Sequence, residues 1–160
     1  FLLEPSEDGE TLHFSGVIAF GLADAAKATI ARSPNLRRVV LDSPGGHIYE
    51  ARGFAQAIRA AGLNTHVDTE CSSACTIVFL AGTQRTLRPK AQLGFHQYAL
   101  DFQQILPHLN VKEEQVKDQQ FFLGRGVSSA FVEQMFQTER ETLWYPRHQE
   151  LRSAGVLTQE

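Results

Sequence analysis

Three short stretches hold residue types that can do acyl-transfer chemistry. The first is Ser43-Pro44-Gly45-Gly46, between an apolar run and an amphipathic one. Glycines let the backbone turn so that N–H groups face a ligand, which makes Gly45 and Gly46 candidates for an oxyanion hole. The same tetrapeptide also serves as a plain strand-to-helix turn. The second is Glu70-Cys71-Ser72-Ser73-Ala74-Cys75-Thr76. Ser73 heads an apolar stretch, where the positive end of a helix stabilises developing negative charge. Serine is equally at home there as an N-cap, and Ser72 competes for either role. Cys75 is the alternative nucleophile, because helix N-termini lower thiol pKa. The third is Leu93-Gly94-Phe95-His96-Gln97, which places His96 at a strand end as a candidate general base.

These residues need elements that bring them to one edge. Thr11 to Gly16 alternates and reads as a first strand, followed by an alanine-rich helix from Leu22 to Arg32 that stops before Ser33-Pro34. Arg38-Val39-Val40-Leu41-Asp42 is a continuous apolar run, as in a parallel strand buried on both faces. From about His47 to Ala61 the apolar positions Ile48, Ala51, Phe54, Ala55, Ile58 and Ala61 share a helix face. A weaker strand is expected around Thr65 to Thr69, then a helix over Ala74 to Ala81 ending at Gly82. Arg85 to Arg88 and Gln92 to Gln97 read as strands separated by Pro89. Helices over Asn110 to Leu123, Val127 to Thr138 and His148 to Ala154 complete the chain. The order predicts α/β architecture in a single domain. The stretch from Gly45 to Ser73 fits one helix plus one strand. The stretch from Ser73 to His96 fits a helix and a short β excursion, so all three features return to neighbouring strand ends.

Composition excludes more than it assigns. The chain has 160 residues, 42% hydrophobic and 21% charged, which excludes a disordered or collagen-like protein. A net charge of −3 offers no footprint for a nucleic-acid partner, so none is expected. No apolar run reaches the roughly 18 residues of a membrane helix. Phe1-Leu2-Leu3 reads as the tail of a removed signal or anchor, or as an arbitrary boundary. Two cysteines are too few for a disulfide framework. They read either as buried small hydrophobes or as a local pair.

Taken together, Ser43-Pro44-Gly45-Gly46, Ser73 before a small-residue helix ending in Ala81-Gly82, and Phe95-His96-Gln97 resemble the Clp protease proteolytic subunit (ClpP) family. The Cys-x-Ser-Ala-Cys-Thr segment and Leu-Gly-Phe-His-Gln are similar to its stand-alone periplasmic or membrane-associated relatives. The resemblance runs from about Thr11 to Gln97, with a fainter match over Glu139 to Leu157. It implies the ClpP/crotonase superhelix of ββα units and a serine peptidase needing neither cofactor nor metal. Ser73 would be the nucleophile and His96 the base. Gly46 and Ala74 would supply the oxyanion N–H groups, with Gly45 shaping the turn. The family's third residue is an aspartate shortly before the last helix. Thr138 to Trp144 offers only Glu141 or Glu139, and Asp101 is a weaker orienter; with none of them, a backbone carbonyl would orient His96. The resemblance further implies a peptide or protein substrate and a homo-oligomer assembled through a handle over Gln97 to Leu109. It also implies a location outside the cytoplasm, in the periplasm or at a membrane reached through a segment absent from this chain.

Four other readings compete. A serine–lysine dyad of the signal peptide peptidase A or NfeD type would use Lys112 or Lys117, whose neighbours are polar. A crotonase-like acyl-CoA enzyme would share the paired N–H groups but not Ser73 and His96. A catalytically weak or inert ClpP-like module would serve binding or assembly. A metal site would recruit Cys71, Cys75 and His96. Trp144-Tyr145-Pro146 is expected as a core plug or a wall of a substrate groove.

Overall fold

A computed structural model describes residues 1–97, 110–139 and 141–158. The strands are β1 (Leu2–Pro5), β2 (Thr11–Ser15), β3 (Arg38–Ser43), β4 (Asn64–Ser72), β5 (Arg85–Leu87) and β6 (Gln92–Gly94). The helices are α1 (Leu22–Ala31), α2 (Ile48–Ala60), α3 (Cys75–Leu80), α4 (Val111–Gly124), α5 (Ser129–Gln137) and α6 (His148–Ser153). The six strands form one sheet in the order β1-β2-β3-β4-β5, with β6 also paired to β4. All neighbours from β2 onward are parallel, joined by helical crossovers, as parallel pairing requires.

β4 decides where the site is built. Its first half pairs with β5, Thr65–Val67 against Arg85–Leu87, and its last three residues pair with β6, Glu70–Ser72 against Gln92–Gly94. The chain therefore leaves the sheet after β5, turns through Arg88–Ala91, and returns beside the C-terminal end of β4. This return sets Gly94 opposite Ser72 and carries His96 to the mouth of the β4–α3 connection.

The expected weak strand at Thr65 to Thr69 is in fact the longest in the sheet, with nine residues. Its polar alternation is a partnered face. His66 Nδ1 lies 2.7 Å from Thr86 Oγ1, and Asp68 faces His66 at 3.3 Å and Arg88 at 3.7 Å. The N-terminal stretch also differs from expectation. Leu2–Pro5 forms an antiparallel edge strand on β2; its residues are mostly exposed and lack the apolar alternation that marks a strand in sequence, although Asp8-Gly9 supplies the turn that follows it.

The core gathers the inner residues of β2, β3 and β4 with the apolar faces of α1, α2 and the wholly buried α3. Phe14 meets Phe54 edge-on at 5.6 Å between ring centres. The C-terminal end of α3 is tied from outside by Arg125, whose Nε donates to Leu80 O at 2.8 Å and whose guanidinium donates to Gly82 O at 2.8 Å. Arg85, 4% exposed, fastens the C-terminal segment by donating to Val156 O, Gly155 O and Arg125 O. Burial, with Arg125 nearby, pushes its pKa down to about 10, which still leaves the guanidinium charged at neutral pH.

Candidate active site

The nucleophile position is a strained elbow. Ser73 has φ 55°, and among the described residues no other non-glycine has positive φ. A left-handed serine costs on the order of 1–2 kcal/mol, so its surroundings must hold it there. Ser73 N–H donates to Gly94 O at 2.8 Å, while Ser73 O accepts from Thr76 N at 3.0 Å and Thr76 Oγ1 at 2.7 Å. Cys71 and Cys75 close a disulfide across the elbow, and both are fully buried. The bridge corrects two readings of the sequence. Cys75 is not a thiolate nucleophile, and neither sulfur is a thiolate ligand for a metal shared with His96.

Ser72 and Ser73 are separated by the pleat. Ser72 is fully buried and its Oγ donates to Glu70 Oε1 at 2.6 Å. Tyr145 donates its hydroxyl to the same carboxylate oxygen at 2.9 Å. Partial burial and the Glu70 carboxylate raise the Tyr145 phenol, outweighing Ser72, so it remains a donor at neutral pH. This Glu70–Ser72–Tyr145 group carried no signal in the sequence, because Tyr145 reaches it from far along the chain.

The glycine turn sits directly on the elbow. Gly45 has φ 100° and Gly46 φ 142°, both in the region that favours glycine. A Cβ on Gly45 would stand 2.6 Å from Ser72 O, 2.8 Å from Ser73 Cβ and 3.0 Å from Ala74 N. Three bonds fix the turn. Gly45 N–H donates to the buried Ser43 Oγ at 3.1 Å, Ile18 N–H to Gly45 O at 2.8 Å, and His47 N–H to Ile18 O at 2.8 Å. Gly45 thus spends its N–H inside the turn. Among the described residues, the N–H groups of Gly46 and Ala74 have no acceptor. Backbone donors left open at a close approach of two turns are what an oxyanion hole requires.

His96 reaches Ser73 from two residues beyond β6. Its Nε2 lies 2.8 Å from Ser73 Oγ, and its Nδ1 lies 2.6 Å from Gln97 O. A carbonyl oxygen can only accept, so Nδ1 carries a proton, and in the neutral form of the ring Nε2 presents its lone pair to the Ser73 hydroxyl. The strand end is held by Trp144. Phe95 N–H donates to Trp144 O at 2.9 Å, Trp144 N–H to Phe95 O at 2.8 Å, and Gln97 N–H to Thr138 O at 2.9 Å. Phe95, Phe131 and Trp144 pack as an aromatic trio, with ring centres 4.7–6.0 Å apart. Trp144 therefore plugs the core as expected and also pairs with the histidine strand.

Glu139 and Glu141 lie in the stretch running past this strand, but both are exposed and neither hydrogen-bonds His96. Asp101 and nearly all of the expected handle over Gln97 to Leu109 lie outside the described residues; only Gln97 is described. Lys112 is exposed, and Lys117 pairs with Glu114 at 2.6 Å on the outer face of α4. No helix among the described residues is long and apolar enough to cross a membrane.

The sequence matches no family model, and no curated protein matches it either. The structure does match. The crossovers, the elbow and the returning β6 make up a ClpP-like α/β fold. A solved structure described as the ClpP1 N165D mutant from Listeria monocytogenes superposes with a TM-score of 0.74. The match covers 94% of this chain and 90% of that one, at 16% sequence identity.

Proposed function

We propose that the protein is a serine peptidase that cleaves peptide or protein substrates through an acyl-enzyme on Ser73. The observation that carries this reading is the 2.8 Å contact between Ser73 Oγ and His96 Nε2, with the Nδ1 proton fixed on Gln97 O. As Oγ attacks the substrate carbonyl carbon, its proton passes to Nε2, and the charge on the carbonyl oxygen is met by the N–H groups of Gly46 and Ala74. The imidazolium then returns the proton to the leaving amine as the C–N bond breaks. Water deacylates the serine by the same exchange. Gly45 acts by shaping the turn, and a backbone carbonyl performs the tautomer-fixing part of a carboxylate's task.

The ClpP-like fold supports an assembly of several copies. The Cys71–Cys75 bridge supports a location outside the cytoplasm, where disulfides persist. The reading is tested by a fluorophosphonate probe and intact-mass analysis. One adduct is expected on the wild-type protein, mapped to Ser73 and absent in Ser73→Ala, with labelling at least 100-fold slower in His96→Ala. A folded protein that takes no label would instead be a ClpP-like binding module. Labelling that survives His96→Ala but not Lys117→Ala would point to the lysine dyad.

A further inference from the structure

We infer that the Cys71–Cys75 disulfide is a positioning device for the nucleophile rather than a staple of the fold; the inference rests on the reading of Ser73 as that nucleophile. The bridge spans only Ser72, Ser73 and Ala74, which are a buried partner of Glu70, the left-handed serine and an oxyanion donor. Cys71 is already fixed in β4, facing Ser43 on one side and Leu93 on the other. Cys75 is the first residue of α3. The bridge thus ties the end of a central strand to the start of the helix and leaves the elbow little room to relax out of its unfavourable φ.

The rest of α3 does not depend on the bridge. Its far end is held by Arg125 on Leu80 O and Gly82 O and by Thr65 Oγ1 on Phe79 O at 2.6 Å, and its side chains are buried throughout. A ring closed over so few residues removes little freedom from the unfolded chain, because loop-closure entropy grows with loop length. The local effect is large by contrast. A shift of about 1 Å in a reacting group can lower the rate on the order of 100-fold. Both sulfurs are fully buried, so a dissolved thiol meets the bridge only when the structure opens. The lock is set during folding.

The test compares wild-type protein with the double variant Cys71→Ala/Cys75→Ala, and with Cys71→Val/Cys75→Ala in case the first leaves too large a void. The lock predicts folded variants with wild-type far-ultraviolet dichroism and fluorophosphonate labelling of Ser73 slowed about 100-fold. It predicts a kcat reduced in proportion and a KM within about threefold of wild type, since both substituted side chains are buried beneath the elbow. Backbone 13C shifts and scalar couplings of Ser73 should also leave the left-handed range. Unchanged labelling and unchanged Ser73 couplings in a folded variant would overturn the inference. So would failure of both variants to fold, since the bridge would then be holding the domain. If wild-type Ser73 takes no label, the peptidase reading fails, and the Ser73 couplings in wild type and variant still decide whether the bridge holds the elbow.

Discussion

The two halves of the candidate site are held in different ways. On the nucleophile side, Ser73 is restrained by sequence neighbours, a disulfide two residues to either side and a hydroxyl three residues on, and also by Gly94 O and a glycine turn packed against its backbone. On the histidine side, His96 lies two residues beyond a strand of only three, and its neighbours Phe95 and Gln97 are held by backbone bonds to Trp144 and Thr138, some forty to fifty positions away, and by an aromatic trio. The nucleophile is thus restrained many times over, in part by a covalent local bridge, and the base by a few long-range contacts. Damage to the first half should cost chemistry more than stability, and damage to the second should cost stability more than chemistry.

The sharpest way to break this contrast is Gly45→Ala. The added methyl meets main chain at Ser72 O and Ala74 N, which cannot swing aside as a side-chain tip can, and the positive φ adds strain. Labelling of Ser73 should fall on the order of 100-fold or more, while stability falls by about 1–3 kcal/mol, the usual range for overpacking. Denaturant melts run beside probe kinetics would show the split. A variant that labels at the wild-type rate would mean that the turn does not set the elbow.

Trp144→Ala addresses the other half and should give a smaller kinetic effect with a larger thermodynamic one. It removes the ring packed on Phe95 and Phe131 but leaves the backbone pair that holds the strand. Stability should drop by about 3 kcal/mol, and labelling should slow about tenfold because His96 is less firmly held. A loss of labelling as deep as that of Gly45→Ala, with little loss of stability, would erase the distinction between the two halves.

The same contrast explains what could be read in the chain. Ser43-Pro44-Gly45-Gly46 and Ser73 are legible in their residue types and their place between elements, and His96 in the order of the strands. What escaped was long-range. Trp144 hydrogen-bonds Phe95, and Tyr145 reaches Glu70, through a fold that brings distant segments together, and no periodicity encodes either contact. β4 looked weak because its polar residues are answered by β5, an arrangement visible only once the partner strand is known. The cysteine pair stayed open between burial and a bridge because sequence does not fix the Cβ directions that a disulfide demands. A family pattern points to Glu141, but in the fold it stands exposed, and Gln97 O accepts the hydrogen bond from His96 Nδ1.

The smallest expected effect probes how the oxyanion turn is anchored from behind. α2 begins just after Gly46 and is tied to α4 by Arg52, whose guanidinium donates to Glu114 and to Asp118 at 2.9 and 3.0 Å. The two carboxylates titrate in opposite senses. Burial pushes Glu114 up, but the hydrogen bonds from Lys117 and Arg52 prevail and hold it below the usual carboxylate range. For Asp118 burial outweighs Arg52, and its carboxyl is raised. A lowered folded pKa means that stability from Glu114 is full above its unfolded value and is lost as pH falls through the folded one. The raised Asp118 works the other way, since the folded state takes up its proton more readily and gains relative stability as pH falls. Glu114→Gln should therefore be less stable than wild type by about 1 kcal/mol at neutral pH, with the gap closing in acid, where wild-type Glu114 is itself protonated. Urea melts from neutral pH down into acid would read this, and Ser73 labelling at neutral pH should stay within twofold. A gap that stayed constant across that range would remove the ion pair as the anchor, leaving the packing of α2 on α3 to hold the turn.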